Sequence, residues 1–187
     1  MKIVCITGMR GCGKTVFGEV AKEMGYKVHE MSDIVRDMMK NENIMIDNRN
    51  IREYAKSIRE RYGKNIVAVK MVEKIMREDM NLPLIVIVGI RGMYEIREFK
   101  EAFGNDNVIL IAIHSPPKVR YERVMERTNK IDDPKTYEEF LWAEEMELGY
   151  GISKAIALAD IMIINNSGIE EYIQVCKKLL GGLAGGG

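Results

Sequence analysis

The sequence has no excess of charge of either sign: 28 Lys and Arg stand against 28 Asp and Glu in 187 residues. That balance argues against a protein that holds nucleic acid or an acidic membrane surface by general electrostatic attraction, so nucleic acid is not an expected partner. Cysteine is scarce. Cys5, Cys12 and Cys176 are odd in number and form no CxxC pair. This argues against a disulfide framework or a zinc site and fits a reduced, cytoplasmic setting. Long hydrophobic runs are missing too. The longest apolar stretch, near residues 82–90, falls well short of the ~20 residues that cross a bilayer. The apolar run at 3–7 is too short for a signal peptide, so no membrane partner is expected. The two histidines, His29 and His114, have no neighbour at metal-ligand spacing and read as structural, and the 14 methionines are scattered like core filler.

What is present is an alternation of apolar clusters with charged, helix-periodic segments. Strands are expected at Ile3–Ile6, Tyr26–Met31, Leu84–Val88, Val108–Ile113 and Ile161–Ile164. Continuous apolar runs imply strands covered on both faces, which is a parallel sheet between two helical layers. Helices are expected at about 14–24, 33–41, 49–62, 65–80, 94–103, 117–128, 135–148 and 169–180. Ser32 and Asp33 are expected to open one helix, and Pro134 and Thr136 with Glu138 and Glu139 another. The sequence reads as a single domain over 1–180 with a helical insertion at about 33–80, a lid at about 127–148, and a flexible Gly-rich tail at 181–187.

Gly8-Met9-Arg10-Gly11-Cys12-Gly13-Lys14-Thr15 fits GxxxxGK[ST]. The chemistry requires this spacing. Glycines let the backbone curl so that successive N–H groups face a phosphate, and the helix that follows adds its positive end. Lys14 is placed to reach the β- and γ-phosphates, and the Thr15 hydroxyl to ligate magnesium. A chance match to the pattern in this composition is roughly a 1 in 100 event, and here the motif follows a strand and opens a helix, as it must. The implied ligands are ATP and Mg2+. Cys12 lies among the loop N–H groups, where a thiolate is favoured, although a small residue in a tight loop is the simpler reading.

A phosphoryl-transfer enzyme also needs an acceptor held in line with the γ-phosphoryl. Asp33 can orient the acceptor or the magnesium shell, and Arg36 lies one turn further on; spacing alone leaves an N-cap and a solvated arginine equally open. Arg91, between Gly89 and Gly92 at a strand end, lies where open α/β sheets bind ligands. Arg120, Arg123 and Arg127 recur on one helix side before the polar stretch 128–134. Arg127 is nearest the expected lid and is the candidate for transition-state charge. The competing reading pairs these arginines with Glu122 and Glu126 as a solvated face.

Taken in order, the loop, Ser32-Asp33-x-x-Arg36, Gly89-Ile90-Arg91, the lid arginines and Ala159-Asp160-x-x-Ile163-x-Asn165 resemble the nucleotide-kinase branch of P-loop proteins, which includes adenylate kinase and dephospho-CoA kinase. More narrowly, Asp132-Asp133-Pro134 and Glu147-Leu148-x-x-Gly151-Ile152 resemble a small uncharacterised archaeal family related to dephospho-CoA kinase. The resemblance spans residues 1–180. It implies a three-layer P-loop NTPase fold with a five-stranded parallel sheet in the order 2-3-1-4-5, a nucleoside-monophosphate-kinase-like acceptor region and a lid. It implies that Asn165 borders the adenine and that Arg36 and Arg91 bind an unidentified small-molecule acceptor. Three positions depart from that pattern: Val88 replaces an aspartate, Asn129-Lys130 replaces Gly-Arg, and Ala143-Glu144 replaces Arg-Asp. Valine cannot hold the magnesium-bound waters, and Asp33 is the expected substitute. Two functions follow: an ATP-dependent small-molecule kinase, or a nucleotide-binding switch or scaffold with weak or no transfer.

Overall fold

The computed structural model describes residues 1–127 and 133–185, with only the backbone of residues 48 and 49. Five parallel strands, β1 (Lys2–Thr7), β2 (Lys27–Glu30), β3 (Leu84–Ile90), β4 (Val108–His114) and β5 (Ile161–Ile164), lie in the order β2-β3-β1-β4-β5. This is the sheet that the resemblance implies. β1 is central because its apolar run is covered on both faces. Ile3 and Cys5 belong to one core cluster and Val4 and Ile6 to another, all fully buried. Each such aliphatic side chain contributes roughly 1.5–3 kcal/mol by leaving water.

One face carries α1 (Lys14–Glu23) and α9 (Ile169–Gly185), whose Phe17, Val20, Tyr172, Cys176 and Leu180 pack on Val4, Ile6 and Val86. The other face carries α2 (Met31–Asn41), α3 (Asn48–Tyr62), α4 (Ile66–Glu78), α5 (Met93–Phe103) and α8 (Ile152–Ala157). The three helices α2–α4 fill the interval between β2 and β3. The remaining helices, α6 (Pro117–Glu126) and α7 (Tyr137–Gly149), follow β4. Among the described residues, no helix is long and apolar enough to cross a membrane.

Three local expectations differ from what forms. The tail is not flexible from residue 181: α9 runs to Gly185. Leu183 continues the apolar stripe beyond buried Leu180, and Lys2 Nζ donates to the Leu183 carbonyl at 2.9 Å. Those contacts offset the ~1 kcal/mol that each helical glycine costs. α2 starts at Met31, with Glu30 rather than Ser32 at its N-cap. α8 was hidden in an expected loop because six residues are too few to show a helical period. The Thr136 cap does form, its hydroxyl accepting from Glu139 N at 3.2 Å.

Candidate active site at the carboxyl ends of the strands

The loop between β1 and α1 is held open by strain that only glycine tolerates. Gly13 has φ 109°, and an added Cβ would lie 2.5 Å from Asn165 Nδ2. Gly8 has φ 145°, and its Cβ would lie 2.3 Å from the Ile113 carbonyl oxygen. Contacts that close force the backbone to move. Lys14 Nζ folds back over the loop, donating to Gly8 O at 2.5 Å and Met9 O at 3.0 Å. The ammonium therefore caps the curl from inside, at the head of α1. Cys12 is fully buried, with its sulfur 3.9 Å from Lys14 Nζ.

A cavity of about 520 Å³ opens above the loop. Gly8, Arg10, Gly11, Gly13, Lys14 and Thr15 form one wall; Arg36, Arg91, Arg123 and Arg127 also face it. The structure thus brings the loop and both acceptor candidates to one cavity. Met9 and Cys12 contribute to the loop without lining that cavity.

Asp33 does not line it. Its side chain is 56% exposed and pairs with Arg36 at 2.8 Å. The carboxylate beside Val88 is Glu30. The two are register partners on neighbouring parallel strands and both line the cavity. Register partners in parallel strands present their side chains to the same face. Glu30, not Asp33, is therefore the carboxylate that the fold sets beside Val88, because α2 begins before Asp33 and turns that residue outward. A shift in the β1–β3 pairing skips Gly89, φ 100°, between the Ile6–Val88 and Thr7–Ile90 pairs.

Asn165 is buried and not in the cavity wall. Its Nδ2 donates to Cys12 O at 2.9 Å, tying β5's exit to the loop. Its own carbonyl accepts from Ser115 Oγ at 2.6 Å. In the structure it braces the phosphate loop. Asn165→Ala leaves the Cys12 carbonyl unpaired and is expected to cost about 1–3 kcal/mol. Urea unfolding checks this: the midpoint falls at constant slope, whereas an unmoved midpoint means the bond contributes nothing net.

The arginines of α6 do not pair with Glu122 and Glu126. Arg120 is buried and bonds Arg10 O at 3.1 Å and Glu144 at 2.7 Å. Arg123 donates to Ser115 Oγ at 3.0 Å. Arg127 grips Asp133, which also takes Arg10 at 3.1 Å, so the loop and the expected lid share one carboxylate. Asn129 and Lys130 lie outside the described residues. Glu144, one of the departures from the family pattern, has a definite partner in Arg120.

Arg91 is part of a partly buried set that joins α3, α5 and α7. Its Nε donates to Glu147 Oε2 at 3.0 Å, and its backbone N–H to Glu95 at 2.7 Å. Arg59 approaches Glu95 at 3.6 Å, and the Arg59 and Arg91 guanidiniums lie 5.1 and 5.8 Å from the Tyr150 ring centre. Burial pushes the Glu95 carboxyl up, with Arg59 opposing. Burial acts upward on Glu147 as well, but Arg91, with Lys14 and Arg10, outweighs it and holds that carboxyl below the usual range. Neither Glu30 nor Glu147 was a candidate site residue from the sequence. Strand register and the approach of α7 to β3 leave no mark in local spacing.

A parallel sheet in this order, with a phosphate loop after its first strand, defines a P-loop NTPase with a kinase-like fold. Residues 4–147 match the family described as AAA domain. The chain belongs to the UPF0200 family. It is 42% identical over 180 residues to a UPF0200 protein of Sulfurisphaera tokodaii, covering 96% of each chain. It is 40% identical over 179 residues to one of Saccharolobus islandicus, covering 96% of this chain and 92% of that one. Among solved structures, it resembles a dephospho-CoA kinase from Campylobacter jejuni at TM-score 0.60 and 20% identity, covering 100% and 99% of the two chains. It also resembles a shikimate kinase from Acinetobacter baumannii at TM-score 0.59 and 15% identity, covering 98% and 93%. At these identities the likeness is one of fold.

Proposed function

We propose that this protein is an ATP-dependent kinase that transfers the γ-phosphoryl of Mg-ATP to a small-molecule acceptor. The observation that carries this reading is the single cavity shared by Lys14 and Thr15 on one side and Arg36 and Arg91 on the other. Binding alone requires only the first wall. Transfer requires a second, facing it across the space where the γ-phosphoryl would lie.

The donor set of the cavity fits magnesium. Thr15 and Glu30 offer oxygen, and among the described residues no group of three or more His, Cys, Asp and Glu could hold an ion alone. Magnesium keeps several waters and takes phosphate oxygens as ligands, so a site this sparse suits it. Bound there, it would neutralise charge on the β- and γ-phosphates. Thr15 would ligate it and Glu30 would hold its waters. Arg127, released from Asp133, would meet charge on the transferring group. A cytoplasmic setting, where ATP is supplied, fits this reading.

The alternative, a nucleotide-binding switch with weak or no transfer, draws its support from Val88. Glu30, in register with Val88, weakens that support because a carboxylate is still present at the strand ends. Measuring ATP consumption against a panel of nucleotides and coenzyme precursors tests the choice: acceptor-dependent turnover is expected, and its absence across the panel favours the switch. Once an acceptor is in hand, Arg36→Ala and Arg91→Ala are expected to lower its kcat/KM about 10-fold or more while ATP affinity changes little. If either variant binds ATP as poorly as Lys14→Ala, the division of the cavity into donor and acceptor walls is wrong.

A further inference from the structure

The acceptor wall differs in charge from the loop wall. Both of its arginines already have carboxylate partners: Arg36 pairs with Asp33 at 2.8 Å, and Arg91 with Glu147 at 3.0 Å. Two more carboxylates, Glu30 and Asp47, face the same space. Asp47 is fixed as the N-cap of α3, accepting from Asn50 N at 2.8 Å. A phosphate dianion entering this wall would have to displace Glu147 or Asp33 and then lie among the remaining carboxylates. Like charges repel across such a space.

Glu147 also faces the space that Lys14 and Thr15 line. It lines the main cavity with Lys14 and Gly8, and its side chain is 13% exposed. Arg91 engages only Oε2, so Oε1 is outside that bond. α7 carries it, Lys14 and Arg10 of the phosphate loop act on its charge, and Tyr150, against which Arg91 packs, follows in the next turn. The side chain is held by Arg91, anionic and on the cavity wall.

Building on the kinase reading, we propose that the acceptor presents a hydroxyl group rather than a phosphate to the transferring phosphoryl, and that Glu147 is the base that takes its proton. The acceptor oxygen bonds to the γ-phosphorus as the bond from that phosphorus to the β–γ bridging oxygen breaks. The bridging oxygen keeps the electron pair and leaves with ADP. The hydroxyl proton passes to Glu147 Oε1 and from there to water. Arg91 holds the carboxylate in place and keeps it ionised. A phosphate acceptor needs no base, because its oxygen already carries charge; an alcohol does.

The test follows label from γ-labelled ATP with wild-type protein and two acceptor panels: polyols, sugars and nucleosides in one, nucleoside 5′-monophosphates in the other. A labelled phosphate ester from the first panel is expected. Labelled nucleoside diphosphate from the second overturns the hydroxyl assignment and leaves the kinase reading standing. No label in either panel, with ATP still bound by calorimetry, overturns the kinase reading and this inference together. On the acceptor found, Glu147→Gln is expected to lower kcat about 100-fold with little change in KM for ATP, because the amide oxygen can still accept from Arg91. Its rate should climb with pH as hydroxide replaces the lost base, while the wild-type rate stays flat over roughly pH 6–9. Glu147→Asp should keep the flat profile at a reduced rate. A glutamine variant with full kcat, or an aspartate variant whose rate climbs with pH like that of the glutamine variant, overturns the base role.

Discussion

Lys14→Ala is expected to weaken ATP binding by about 100-fold or more, some 3 kcal/mol, the scale of a lost charge-assisted hydrogen bond to phosphate. Two effects add. On the kinase reading, the ammonium is the cation that the loop would present to the β- and γ-phosphates. It also bridges Gly8 O and Met9 O, so its removal relaxes the curl that the glycines permit. Isothermal calorimetry on folded wild type and variant measures the difference, with circular dichroism as the check on folding. Equal affinities would remove the phosphate-loop assignment and everything built on it. A loss confined to ATP, with the melting temperature unchanged, would locate the effect in ligand contact rather than in the loop's own stability.

Glu30→Gln is expected to lower magnesium-dependent turnover by about 10- to 100-fold, the usual effect of losing a partner that orients a metal's ligands. Asp33→Asn should change it by no more than a few-fold. The contrast follows from geometry. Glu30 is the register partner of Val88 and faces the cavity, whereas Asp33 is half-exposed and spends its charge on Arg36. A magnesium titration of the initial rate reads the difference, the Glu30 variant needing more metal for half-maximal rate. The reverse ranking would return the role to Asp33.

Val88→Asp, which restores the residue of the resembled pattern, has a cost visible only in the fold. Val88 is in the apolar cluster with Phe17 and Val20, and its Cγ2 would lie 3.3 Å from a Cβ added at Gly18. A carboxylate there is partly desolvated, so stability should fall. In the Glu30→Gln background the same change should recover turnover. Two residues serving one water shell are non-additive, which makes the double variant the informative one.

The phosphate loop was legible because its chemistry is local. Gly8, Gly13, Lys14 and Thr15 must be spaced as they are for one turn of backbone to surround a phosphate, whatever the rest of the chain does. The strands were legible for a related reason: β1, β3 and β4 are buried on both faces, and a continuous apolar run has few other uses. The sheet order came from the resemblance, since nothing in composition ranks the strands. The limits of α2 and α9 were misjudged where tertiary contacts override a local signal. Leu183 held in place by Lys2 keeps two glycines helical, and a helix that begins at Met31 turns Asp33 outward.

The sequence by itself thus determined the phosphate-binding half of the site, because that half is a single continuous segment whose function depends on its own backbone. Only the tertiary structure decided what else lines the cavity. Glu30 comes to it through its register with Val88 on another strand, and Glu147 through its pairing with Arg91, 56 residues away in the chain. Asn165 braces a loop 153 residues before it. Such pairings are set by how the helices settle on the sheet, where the burial of many apolar side chains outweighs the preference of any single polar one. A carboxylate therefore reads as an ordinary surface charge until the packing shows which arginine it meets.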